Sequence, residues 1–268
     1  MNPLILFRNS IEVEEEFGLL KTTPWRDHVV ERLLLVPRDS LVVGRYSVLP
    51  YYQEVEAELA LVDSKLVNSY QEHRYIADIE NWYDDLSDVT PRTWFCEWDR
   101  LPSLHSYVVK GHTNSRKFCW NRQMFCQTRE DVPRVIASLM DDSLVRDQGV
   151  CVRQYIPLRQ FDVGINGLPV TNEWRCFFYR KTLLAYGYYW SNFEDIQPYQ
   201  DLPGEAMGLL DTVAERVAQH TNFFVVDIAE TADGQWIVIE LNDGSMSGTS
   251  CVDVVKLYTR LWEMLTER

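Results

Sequence analysis

The stretch FFVVDIAETADGQWIVIELNDGSMSG, residues 223–248, is an apolar strand pair interrupted by three oxygen-bearing side chains, Asp227, Glu240 and Asn242. Successive side chains of a strand point to opposite faces, so Glu240 and Asn242 share one. Closing a hairpin at Asp233-Gly234, the strongest two-residue turn signal, sets Ala232 against Gln235 and Asp227 against Glu240. The spacing therefore predicts two carboxylates and an amide on one face. Like charges directly opposite each other on a sheet repel, so something positive is expected between them. An oxygen-only donor set suits a hard cation, Mg²⁺ above all. The alternative is an edge hairpin with a solvated acidic face.

Other residues carry complementary chemistry. Lys110 ends the apolar strand SYVVK and precedes Gly111. Glycine lets the backbone turn closely there, and the ammonium can sit beside a bound phosphate; an ordinary strand-end lysine is the alternative. Lys117 ends the polar loop GHTNSRK, a segment suited to fold over a nucleotide. It is not a P-loop, because G-x-x-x-x-G-K-[ST] is absent. Arg153 lies mid-strand in CVRQYIPL, on the same face as Cys151 and Tyr155. If that face is buried, the guanidinium needs an anion. The extended segment Gln154, Tyr155, Ile156 then runs into Pro157 and can offer backbone groups to a flat base. Glu173 and Arg175 share a strand face in EWRCFFY, where an internal ion pair is the plain reading.

The elements that must position these groups fall into two regions. Residues 3–8 and 40–50 read as strands. Residues 11–20, 51–63 and 68–86 read as helices. The alternation predicts a small α/β domain with parallel strands over residues 1–95, closed by the connector DVTPRTWF. Residues 96–268 form the second domain. Strands are expected at 106–110, at 117–122 as the return strand, and at 149–158, 173–179 and 182–190. Helices are expected at 130–142, opened by a Thr128–Asp131 capping box, at 203–220 and at 251–267. The whole is an α+β fold on antiparallel sheets.

The chain has 268 residues, 46% of them hydrophobic, enough for a large core. The six cysteines are scattered, without a C-x-x-C pair or histidines at zinc spacing. Reduced structural thiols and a cytoplasmic location are expected. No apolar run reaches membrane-spanning length, and the N-terminus reads as a first strand, not a signal peptide. A formal net charge of −14 argues against nucleic acid or an anionic membrane as the main partner. It leaves room for a small anion in a local basic pocket.

This ordered set of motifs resembles the ATP-grasp superfamily. In that family an Asp on one strand and a Glu-x-Asn on the next hold the Mg²⁺ ions of ATP, which Asp227, Glu240 and Asn242 match. Lys110 matches the phosphate-binding lysine of the first strand pair. VRQYIPL matches the strand and linker that hold adenine, with Gln154 where glutamate is common. Glu173-x-Arg175 resembles the polar strand feeding the phosphate site. The resemblance covers residues 106–246, with TPRTWF and the N-terminal region as the usual preceding domain. It is nearest to the small bacterial and phage branch related to the eukaryotic cell division cycle family that assists assembly of a translation initiation factor.

The resemblance implies an ATP-grasp fold with ATP and Mg²⁺ as cofactors. It also implies an ADP-forming carboxylate–amine ligase with unidentified carboxylate and amine substrates. Lys110, Lys117, Arg153, Gln154, Tyr155 and Ile156 are the expected nucleotide contacts. Arg153 and Arg175 are the expected catalytic cations. The loop DGSMSG, residues 243–248, is expected to be flexible and to face the acceptor. An ATP-binding assembly chaperone for a protein partner is the alternative.

Overall fold

The computed structural model describes residues 1–267 except 192, 194, 195 and 197–200. The chain opens with β1 (Asn2–Phe7), α1 (Glu14–Leu20), β2 (Val29–Val30), β3 (Ser40–Arg45), α2 (Tyr52–Ala60), β4 (Lys65–Leu66), α3 (Tyr70–Ala77) and α4 (Ile79–Leu86). The strands form one parallel sheet in the order β2-β1-β3-β4. Both faces of the sheet are covered, which is why LILF and LVV read as continuous apolar runs. Leu4, Leu6 and Val42 pack under Val55 and Leu59 of α2. Ile5, Phe7 and Val43 pack on the other side against residues more than 130 positions later, among them Phe177, Val225 and Leu257.

The helix expected over 68–86 is two. Asp78 has an extended backbone (φ −114°, ψ 116°) and caps α4 by accepting the Glu80 N–H at 3.0 Å. A reciprocal Ser69–Glu72 capping box opens α3; such caps satisfy donors the helix leaves unpaired.

The next region holds β5 (Thr93–Trp94), β6 (Tyr107–Gly111), β7 (Phe125–Cys126), α5 (Val132–Met140), α6 (Ser143–Arg146) and β8 (Val150–Gln154). Its antiparallel sheet runs β5-β8-β6-β7. The return strand is not 117–122, as the sequence suggests, but β7. Residues 117–124 wind into a 3-10 turn and a wider π turn. Helical winding sets Trp120 and Met124, four apart, on one side. The Thr128–Asp131 capping box is present before α5.

A two-stranded ribbon follows, β9 (Gln160–Val163) with β10 (Pro169–Thr171). The remaining elements are β11 (Glu173–Tyr179), β12 (Thr182–Tyr188), α7 (Gly204–Val217), β13 (Phe223–Glu230), β14 (Trp236–Asp243) and α8 (Val254–Thr266). Their antiparallel sheet runs β12-β11-β13-β14. Phe178 and Phe224 stack at 5.3 Å on one face, beneath α7. Phe177 and Val225 face α8 and the N-terminal sheet. No helix among the described residues is long and apolar enough to cross a membrane.

The β13–β14 hairpin reaches its expected pairing by an unexpected route. Glu230 lies opposite Trp236, so the loop is Thr231–Gln235, one residue longer on the β13 side than a two-residue turn allows. Thr231 closes it by donating its N–H to the Gln235 carbonyl at 2.7 Å, with Gly234 at φ +87°. The register then shifts by one between Asp227 and Ile228, leaving Ile239 as an extra residue. This bulge cancels the loop offset, and Asp227 lies opposite Glu240.

Candidate functional site

Asp227, Glu240 and Asn242 project from one face of β13 and β14. Asp227 is completely buried. Arg175, its cross-strand neighbour on β11, holds both carboxylate oxygens, at 2.9 and 2.8 Å. The Lys110 ammonium, from the end of β6, pairs with Glu240. Asn242 Nδ2 donates to Asp227 Oδ2 at 3.4 Å. The two carboxylates therefore do not confront each other bare, as the strand pairing alone suggests: each already has its own protein cation. Burial works against the Glu240 charge, yet Lys110, Lys117 and Arg153 together hold its carboxyl down at about 2.

Glu173 and Arg175 share a face but do not pair with each other. Glu173 is buried and meets Lys117 at 3.3 Å. Burial drives the Glu173 carboxyl upward, and Lys117 opposes that. The Lys117 ammonium also lies 3.9 Å from the Tyr189 ring centre and 5.2 Å from that of Trp190. Such placement over an aromatic face stabilises a cation.

One cleft gathers the groups singled out as nucleotide contacts. Lys110, Lys117, Arg153, Gln154, Tyr155 and Ile156 all line it, together with Glu240 and Glu173. Most of the rest of its wall is apolar, including Val108, Trp120, Met124, Leu168, Ile237 and Ile239. A slot of this kind is chemically suited to a flat aromatic ring. Arg153 is 5% exposed. Its guanidinium donates to Thr93 Oγ1 at 3.2 Å, to the Ile239 carbonyl at 2.7 Å and to Thr90 Oγ1 at 2.7 Å. Neutral protein acceptors thus hold the buried guanidinium beside the cleft it lines.

A second cleft shares Glu240 and Ser115 with the first. Arg175, Asn242 and Tyr189 line one part of it, and Tyr52, Tyr70 and His73 from the N-terminal region another. His73 Nδ1 lies 2.8 Å from the buried Asp243 carboxylate, and the ring stacks on Tyr52 at 4.4 Å. The loop 243–248 borders this cleft and is pinned. The Gly244 carbonyl accepts from Arg45, the Ser247 carbonyl accepts from Arg45 at 3.1 Å, and the Ser245 carbonyl accepts from the Tyr46 N–H at 2.9 Å. It is thus an anchored wall, where composition suggests flexibility. Asp78, Glu80 and His112 bring three further metal-type donors within 4.8 Å of one another at the edge that Asp78 contributes.

Sequence reasoning passed over Tyr189, Trp190, His73 and Asp243. Asp243 adjoins Asn242 and was open to view as the next residue of an acidic cluster. The aromatic pair reads as ordinary strand-end core until Lys117 is seen to reach it.

The oxygen-only set Asp227, Glu240 and Asn242 is chemically suited to Mg²⁺. The family model described as an ATP-grasp domain, clade family 3, matches residues 100–265. No curated protein matches the sequence. Among solved structures, D-cycloserine synthetase DcsG superposes with a TM-score of 0.62 at 15% identity, over 99% of this chain and 100% of that one. D-alanine–D-alanine ligase from Bacillus anthracis, complexed with ATP, gives 0.58 at 14% identity, over 98% and 94%. The RimK domain protein ATP-grasp from Sphaerobacter thermophilus DSM 20745 gives 0.56 at 17% identity, over 98% and 100%. These likenesses establish the fold.

Proposed function

Because the chain belongs to the ATP-grasp superfamily, through the ATP-grasp domain family matched over residues 100–265, we propose that it is a Mg²⁺-dependent, ADP-forming carboxylate–amine ligase working through an acyl phosphate. The observation that carries the reading is the junction at Glu240. A largely apolar slot lined by Lys110 and Lys117 and a second cleft lined by Arg175 and Asn242 share Glu240 as a common wall. A γ-phosphate at the end of the first would face an acceptor in the second.

In the proposed reaction a substrate carboxylate oxygen attacks the γ-phosphorus, and the bond to the ADP oxygen breaks. The amine then attacks the acyl carbon, phosphate leaves, and the amine proton passes to a base. Lys110 and Lys117 hold phosphate oxygens, Gln154 to Ile156 hold the base, and Arg175 orients the acyl phosphate. Asp227, Glu240 and Asn242 would hold Mg²⁺, which when bound supplies charge neutralisation for phosphoryl transfer. Positioning and electrostatics dominate such transfers. Lys110 must exchange Glu240 for phosphate as nucleotide enters, and that exchange frees Glu240 for the metal.

Residues 96–268 are proposed as the catalytic domain and residues 1–95 as the domain that walls the acceptor cleft. The buried thiols Cys126, Cys151 and Cys176 support a cytoplasmic setting. ADP release across a panel of amino acids and peptides, with hydroxylamine present to trap acyl phosphate, tests the reading. Release that depends on a carboxylate supports the ligase. Nucleotide binding with no release on any carboxylate, but with stabilisation of a protein partner, supports the assembly-chaperone reading.

A further inference from the structure

The Ile239 bulge has an unusual outer edge. β14 is the terminal strand of its sheet, so the groups it turns away from β13 need other partners. Val238 donates its N–H to the Val89 carbonyl at 2.9 Å, and its own carbonyl accepts from Thr90 Oγ1 at 2.8 Å. The carbonyl of Ile239, the extra residue, accepts from Arg153 Nη1 at 2.7 Å. Arg153 Nη2 donates to the same Thr90 hydroxyl, and Arg153 Nε donates to Thr93. Consecutive carbonyls of the bulge are thus held by one connected set, Arg153 and Thr90, both more than nine-tenths buried.

The bulge decides what faces the nucleotide cleft. A one-residue shift of register exchanges the faces of a strand. With Ile239 extra, Ile237 and Ile239 line the slot together with Glu240, while Val238 and Leu241 are buried in the core behind. Without the bulge, Asp227 would oppose Ile239, and Glu240 would turn away from Lys110. Bulges leave one residue unpaired and so need outside support.

We infer that Arg153 is a positioning residue of the nucleotide site: by holding the Ile239 carbonyl it fixes the bulge that brings the base-contacting isoleucines and Glu240 onto one face. It acts through β14 and not on the phosphates. The inference rests on the nucleotide reading of the cleft.

The test compares adenosine, ADP and Mg²⁺·ATP binding by calorimetry in the full chain. The variants are Arg153→Met, Thr90→Val and Thr90→Ser, and cross-strand NOEs between β13 and β14 are recorded for each. Thr90 lines neither cleft, so Thr90→Val reports on the bulge alone; it also serves if Arg153→Met fails to fold. Arg153→Met and Thr90→Val are expected to weaken all three ligands by a common factor of about ten and to lose the Asp227–Glu240 contact. Thr90→Ser, which keeps the hydroxyl, is expected to bind like wild type. Selective loss of ADP and ATP with adenosine binding and the NOEs intact would make Arg153 a phosphate contact and overturn the inference. So would Thr90→Val with unchanged affinities and NOEs. If wild type binds no nucleotide, the ligase reading falls, and the NOEs in the variants decide whether Arg153 holds the bulge.

Discussion

Glu240 carries two partnerships that exclude each other. In the structure it neutralises buried Lys110; in the proposed reaction it would serve Mg²⁺. Removing one partner of a buried pair leaves the other charge uncompensated. Glu240→Gln is therefore expected to lower the stability of the nucleotide-free protein, by about 2 kcal/mol given that the amide still accepts one hydrogen bond. Thermal or urea unfolding checks this, and an equal or raised stability would mean the pair contributes nothing. The acid limb gives a second reading. A carboxyl held at about 2 is depressed, so its stabilisation is complete above the ordinary glutamate range and is lost as pH falls through that range toward 2. The Glu240→Gln protein should lack this part of the acid destabilisation. Lys110→Met should weaken ATP binding and also destabilise, because a lysine only 5% exposed and paired is no surface residue.

At the scale of elements, the sequence told most where periodicity was strong and least where a single residue changed it. EWRCFFY is a strand from its first residue to its last. Asp227 faces Glu240 as the hairpin count predicts, but only because a longer loop and a bulge offset each other. The break at Asp78 was legible as an Asp just before the helically spaced apolar residues Ile79, Trp82 and Leu86, a cap signal outweighed by the long helical pattern around it. The 117–122 winding was not legible, since Phe118, Cys119 and Trp120 make a short apolar run as a strand would, and only the fold shows Trp120 and Met124 together in the cleft wall. The pairs Lys110–Glu240, Lys117–Glu173 and Arg175–Asp227 each join positions more than 50 apart. Residue types announced the charges; only tertiary packing assigns the partners. Among the elements α3 carries His73 to the second cleft, and its Ser69–Glu72 box fixes where it starts. Ser69→Ala should cost about 1 kcal/mol, read by chemical denaturation. A loss near zero would show that tertiary packing alone positions α3.

At the scale of the molecule, the N-terminal and C-terminal regions share one core. Ile5, Phe7, Trp25 and Val43 pack with Phe177, Phe223, Leu257 and Tyr258. Polar groups cross the same boundary: Trp25 Nε1 donates to the Tyr258 carbonyl at 2.7 Å, and Asn68 Nδ2 donates to the Phe223 carbonyl at 2.7 Å. A fragment of residues 96–268 would expose that apolar face and lose both of those hydrogen bonds. It is expected not to unfold cooperatively on its own, which near-ultraviolet circular dichroism through a thermal ramp checks. Cooperative unfolding of the fragment would instead show that the shared core is dispensable for residues 96–268. Whether the slot lined by Lys110, Lys117 and Gln154 to Ile156 holds Mg²⁺·ATP is decided by calorimetric titration of the full chain with ATP, with and without Mg²⁺. Saturable binding of one ATP per chain, weakened about tenfold or more when Mg²⁺ is withheld, is expected; no binding at millimolar ATP with Mg²⁺ present would overturn the nucleotide reading of the slot.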